Sequence, residues 1–164
     1  MIDVRDIFGA LTDANVRFVV IGGVALTLHG SSYVTQDIDL AYERTRENAK
    51  RMAAALARFS PRPRGFPSDV PFIFDEQTLL GVEILTLETS AGDLDLLATV
   101  AGLGGFAEVD AAAQTMTFEG RAVRVLSVEG LIAAKTAAGR EKDRPGLIEL
   151  EALREARSLR DGPN

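Results

Sequence analysis

Asp37-Ile38-Asp39-Leu40 places two carboxylates two residues apart with apolar residues between them. On a strand that spacing sends both acids to one face, roughly 6–7 Å apart along the chain, and sends Ile38 and Leu40 to the other. Carboxylates that close repel, and each raises the cost of ionising its neighbour. A divalent cation removes that penalty, and hard oxygen ligands select Mg²⁺ or Mn²⁺. Gly92-Asp93-Leu94-Asp95-Leu96-Leu97 repeats the design. Asp95 stands deeper in its apolar run than Asp93 and is the preferred third ligand, with Asp93 as the alternative. Three carboxylates converging from two strands hold two metals about 4 Å apart, which activates an attacking oxygen and steadies a leaving phosphate.

Ile21-Gly22-Gly23 supplies the other half of a phosphate chemistry. A strand–Gly-Gly–helix turn brings backbone N–H groups to a helix N-terminus, where they cradle an anion. Gly22 and Gly23 keep side chains out of the way of a triphosphate. The simpler reading is an ordinary turn, and for Asp37 and Asp39 it is a solvated strand face. An acid pair framed by apolar residues with no basic neighbour argues against the second. Lys135 lies on the same helical stripe as Val128, Leu131 and Ile132. Either it snorkels to solvent or it points over the site. Arg140, Lys142 and Asp143 read as surface charges of a helix–helix turn. Arg62 and Arg64 read as solvated loop residues, with closure over a nucleotide as the alternative. His29 is expected at a helix C-terminus, where its charge is tolerated. Tyr33 is expected to pack rather than to stack on a base.

These residues need elements to position them. Val4, Ile7, Phe8 and Leu11 recur at helical spacing over most of the first fourteen residues. Residues 17–21 (RFVVI) form a short β-branched strand that Gly22-Gly23 stops. Residues 24–29 form a short helix closed by Gly30. Residues 37–41 alternate as a half-buried strand, and Thr45 caps a helix carrying Ala49, Met52, Ala53 and Leu56. Residues 60–71 hold four of the six prolines and form a loop. Strands over 82–87 and 93–98 flank a turn at 89–92, and 102–105 is a second loop. Residues 115–118 and 122–126 form a hairpin about Glu119-Gly120. Ser127 caps a helix to about Ala138, and a last helix runs from near Asp143 to about Arg157, with Pro145 in its first turn. This order gives an α+β fold: a small mixed β-sheet flanked by helices, with C-terminal helices.

The 164 residues suit one domain, 1–164, with a core at about 1–126 and a helical segment at about 127–160. The absence of cysteine excludes disulfides, zinc–thiolate sites, iron–sulfur clusters and a cysteine nucleophile. One histidine argues against a multi-His metal site. The net charge of −6 gives no long-range attraction to nucleic acid or anionic membrane. No secretory leader or membrane span is expected, so a cytoplasmic location is the default.

The glycine pair, the Asp-x-Asp and the distant lone Asp together resemble the nucleotidyltransferase superfamily that includes DNA polymerase β. "YVTQDIDL", "GDLDLL" and "KTAAGREKD" are similar to small prokaryotic nucleotidyltransferase-like proteins related to type IV abortive-infection toxins. The resemblance spans about 18–153. It implies a nucleotidyltransferase-like fold and an enzyme that moves an NMP from an NTP, the co-substrate, to an acceptor hydroxyl. It makes Gly22 and Gly23 the triphosphate turn and directs Lys135 toward triphosphate oxygens. Asp37 and Asp39 become shared ligands of Mg²⁺ or Mn²⁺, and Asp95 the third ligand and base. The implied acceptors are an RNA or tRNA end, a protein hydroxyl or a small molecule. A toxin–antitoxin role would add an antitoxin partner. Many relatives carry a basic residue ahead of the Asp-x-Asp, where this chain has Tyr33 and Gln36. That departure motivates an alternative: a non-catalytic nucleotide-binding or protein-interaction module of the same fold.

Overall fold

The computed structural model describes residues 2–162; Met1, Pro163 and Asn164, part of the single expected domain, lie outside them. In chain order the elements are α1 (Val4–Asp13), β1 (Phe18–Ile21), α2 (Gly22–Leu28), β2 (Asp37–Tyr42), α3 (Arg46–Leu56), β3 (Arg62–Pro63), α4 (Glu76–Leu80), β4 (Ile84–Glu88) and β5 (Asp93–Leu97). There follow β6 (Thr99–Val100), β7 (Gly104–Gly105), α5 (Phe106–Ala111), β8 (Ala113–Phe118), β9 (Arg121–Leu126), α6 (Val128–Ala138) and α7 (Arg144–Arg160).

Seven strands form one sheet in the order β3-β4-β5-β2-β1-β9-β8. Pairing is antiparallel for β1–β2, β4–β5, β3–β4 and β8–β9, and parallel for β2–β5 and β1–β9. The fold is the expected α+β class with a mixed sheet. Ile38, Leu40, Leu94 and Leu96 are at most 1% exposed, so the apolar half of each alternating strand faces the core. Each such side chain contributes roughly 1.5–3 kcal/mol on burial. The acids between them are left on the opposite face.

Local chemistry sets the boundaries. The Thr45 hydroxyl accepts from the Asn48 N–H at 3.2 Å and starts α3. The Ser127 hydroxyl accepts from the Gly130 N–H at 3.0 Å and starts α6. Glu119 and Gly120 both have positive φ, at 51° and 76°, the geometry of a tight β8–β9 hairpin turn. Buried Asn48 holds two strands' ends together: it accepts from the Arg17 N–H and donates to the Arg17 and Glu43 carbonyls.

Two expected loops contain structure. β3 pairs with β4 inside the proline-rich stretch, and β6 pairs with β7 across the second glycine loop. α4 and α5, with 5 and 6 residues, are too short to display a helical stripe. α2 starts at Gly22 itself rather than after the glycine pair. No helix among the described residues is long and apolar enough to cross a membrane.

Candidate active site

β2 and β5 lie parallel and in register, with Asp37 beside Asp93 and Asp39 beside Asp95. The two-residue period places all four acids on one face. Carboxylate oxygens of Asp37, Asp39 and Asp95 lie within 4.8 Å of one another. Asp93 falls outside this cluster, at the solvent rim, 45% exposed. The Thr35 hydroxyl lies 3.1 Å from an Asp37 carboxylate oxygen and fixes its orientation.

Charge is concentrated where water is partly excluded. Burial, then the charges of Asp37 and Asp95, push Asp39 up to about 7, against an opposing pull from Lys135 and Arg140. Burial also raises Asp95, while Arg64 pulls it back and Asp37 and Asp93 add to the rise. Among the described residues no group donates a hydrogen bond to the Asp39 carboxylate. A half-buried carboxylate without a donor is costly unless a cation joins it. The all-oxygen donor set fits Mg²⁺ or Mn²⁺.

The glycine bend adjoins the acids, and both glycines have close neighbours there. Gly22 has φ +66°, and a Cβ there would lie 2.1 Å from the Asp39 Oδ2. Glycine at this position therefore admits the Asp39 carboxylate against the bend. A Cβ on Gly23 would lie 2.7 Å from the Thr35 Cβ, so this glycine admits the segment leading into β2. Ile21, which precedes α2, makes no side-chain cap bond to its first turn.

Cations flank the acids. The Lys135 side chain is 13% exposed, and its Nζ lies 3.4 Å from Asp143 Oδ1. It neither snorkels outward nor stands free: Asp143 holds it beside the site. Arg140 Nε donates to Asp143 Oδ2 at 2.7 Å. Asp143 is thus a buried anchor, where a surface charge was expected. Burial alone would raise its pKa, but the hydrogen bond from Arg140 and the charge of Lys135 outweigh it and hold the group low.

On the other flank Arg64 reaches Asp95 at 2.8 Å and Asp93 at 3.2 Å. It is a residue of the site rather than a solvated loop cation. Arg62 instead donates to the Pro67 and Val70 carbonyls and lies over the Phe66 ring, which makes it an anchor of the loop. Composition hid the distinction, because two residues of edge strand inside a proline-rich run carry no periodic signal. His29 does terminate α2, but burial lowers its pKa and leaves it neutral. Its Nε2–H donates to the Leu126 carbonyl at 2.8 Å and its Nδ1 accepts from Arg157 at 3.1 Å. Tyr33 packs against the core. A surface concavity of about 400 Å³ lined by Arg17, Phe18, Phe106 and Arg124 lies at the other end of β1 and contains none of Asp37, Asp39 and Asp95.

The profile of the aminoglycoside-2''-adenylyltransferase family matches residues 3–150. The chain belongs to this family. The solution structure of the antibiotic-resistance factor ANT(2'')-Ia aligns with a TM-score of 0.60 at 17% identity, covering 96% of this chain and 90% of the other. The crystal structure of ANT(2'')-Ia in complex with adenylyl-2''-tobramycin aligns at 0.58 and 18% identity, covering 97% of both chains. The lincosamide antibiotic adenylyltransferase LnuA, bound to lincomycin, aligns at 0.60 and 13% identity, covering 93% of this chain and 98% of the other. At such identities the likeness shows the nucleotidyltransferase fold. No curated protein matches the chain in sequence. The resemblance to abortive-infection toxins gains no support from these matches.

Proposed function

We propose that this protein transfers AMP from ATP to a hydroxyl of an aminoglycoside-class antibiotic, using divalent cations held by Asp37, Asp39 and Asp95. The convergence of these three carboxylates within 4.8 Å carries the reading. Membership of the aminoglycoside-2''-adenylyltransferase family supports the donor and the acceptor class. Physical chemistry agrees on the acceptor. Aminoglycosides are polycations, and a chain of net charge −6 attracts them while repelling a long nucleic acid. An RNA end, a protein hydroxyl and an antitoxin partner have no comparable support.

A bound Mg²⁺ or Mn²⁺ supplies charge neutralisation on the phosphates and a lowered pKa for the attacking hydroxyl. Asp37 and Asp39 hold the cations. Asp95 takes the third ligand position and accepts the hydroxyl proton. The N–H groups at Gly22 and Gly23 face triphosphate oxygens, and Lys135, held by Asp143, adds positive charge from the same side. The acceptor oxygen forms a bond to the α-phosphorus as the bond to the bridging oxygen of the β-phosphate breaks. Pyrophosphate leaves with that electron pair, and the hydroxyl proton passes through Asp95 to solvent. The chain works as one domain in a cytoplasmic setting where ATP is supplied. The segment at about 127–160 is part of it, since Leu131 and Leu150 are buried in the common core.

The test is transfer of label from [α-³²P]ATP to a panel of aminoglycosides, lincosamides and RNA ends with Mg²⁺. Labelling of an aminoglycoside that is lost in Asp39→Ala is expected. Equal labelling by that variant would refute the site. Metal-dependent nucleotide binding with no labelled acceptor would favour the non-catalytic module.

A further inference from the structure

β3 ends beside the acidic face, and its following residue is the cation in direct contact with the carboxylates. The Arg64 N–H donates to the Thr86 carbonyl at 2.9 Å. Thr86 is the register partner of Asp95 across β4–β5. The backbone therefore fixes Arg64 two strands from Asp95, on a line that its long side chain spans. Nη2 donates to Asp95 Oδ1 at 2.8 Å, and Nε lies 3.2 Å from Asp93 Oδ2. One guanidinium thus bridges both acids of β5.

The bridge is placed to be exchanged. The Arg64 side chain is 37% exposed, and the Asp95 side chain 18%. The loop after it is secured by Arg62 rather than by Arg64, so loss of the Arg64 contacts leaves the loop anchored. Gly65 follows at φ +76° with nothing within 4 Å of a Cβ position. A cation arriving at Asp37, Asp39 and Asp95 competes with the guanidinium for the Asp95 oxygen and repels it. A planar guanidinium freed there is well suited to phosphate oxygens, which it binds bidentately.

We propose that Arg64 is an exchangeable counter-ion: it pairs with Asp95 while no divalent cation is bound, and turns to the nucleotide phosphates once a cation takes Asp95. The inference rests on the reading of Asp37, Asp39 and Asp95 as cation ligands. It predicts effects of opposite sign from one substitution: tighter cation binding and weaker nucleotide binding.

The experiment compares wild type, Arg64→Gln, Arg64→Lys and Asp95→Asn at pH 8. Mn²⁺ alone is titrated by calorimetry, and a non-hydrolysable ATP analogue is then titrated in Mg²⁺. Arg64→Gln is expected to bind Mn²⁺ about fivefold tighter and the analogue about fivefold weaker, the size of effect a half-buried ion pair carries. Arg64→Lys keeps the charge but not the fork, and falls between. Unchanged or weaker Mn²⁺ binding in Arg64→Gln, with wild type binding and Asp95→Asn not, would overturn the inference and leave the cation site standing. Failure of the wild type to bind Mn²⁺ would overturn both. Thermal unfolding checks that each variant is folded.

Discussion

Asp39 carries the conflict on which the site depends. It is half-buried, has acids on two sides and lacks a donor, so its pKa rises from 3.8 to about 7. In the cation-free protein the folded state keeps a proton that the unfolded state releases. The stability this confers is present below pH 3.8 and is lost as pH rises through about 7. Asp39→Asn removes the dependence. The variant should therefore gain on the wild type in unfolding temperature between pH 4 and 7, lead at pH 8, and lose that lead when Mg²⁺ is added. Equal pH profiles would contradict the assignment. Gly22 belongs to the same conflict, since a Cβ would strike the Asp39 carboxylate and φ is positive. Gly22→Ala should cost roughly 1–3 kcal/mol in urea unfolding and weaken Mn²⁺ binding. The acids were legible because period-two alternation on two strands shows which side chains share a face. The part played by the glycines was not, because it depends on what lies across the bend rather than on neighbours in sequence.

Elements turn those residues into a site. The parallel register of β2 and β5 sets Asp39 against Asp95. No pattern within either strand encodes that register, so sequence alone gave a preference for Asp95 and left Asp93 open. β3 was hidden by its prolines, and Arg64 with it. α3 and α6 were legible from caps and stripes, while α4 and α5 were too short to show either. Asp143 shows what a turn position conceals: 5% exposed, it ties Lys135 of α6 and Arg140 to the start of α7. Asp143→Ala leaves the Lys135 ammonium buried without its partner. A loss of about 3 kcal/mol in urea unfolding is expected. Adding Lys135→Met should restore part of it, because the stranded charge is gone. An additive double variant would show that the two side chains are not coupled.

The whole molecule combines a net negative charge with three cations at the flanks of one acidic face. Lys135 and Arg140 stand on the Asp39 side, and Arg64 on the Asp95 side. Such a layout admits a polyanion only together with divalent cations, and it attracts a polycationic acceptor without further design. It also accounts for the absence of a basic residue ahead of Asp37, since positive charge arrives from α6, from the turn after it and from the edge of the sheet. The central claim is that the three carboxylates are cation ligands facing a nucleotide. A crystal structure with Mn²⁺ and a non-hydrolysable ATP analogue, using the anomalous signal of manganese, tests it most directly. Manganese between Asp37, Asp39 and Asp95, with the triphosphate against Gly22 and Gly23, is the predicted result. A nucleotide bound elsewhere, or manganese absent from these carboxylates, would contradict it.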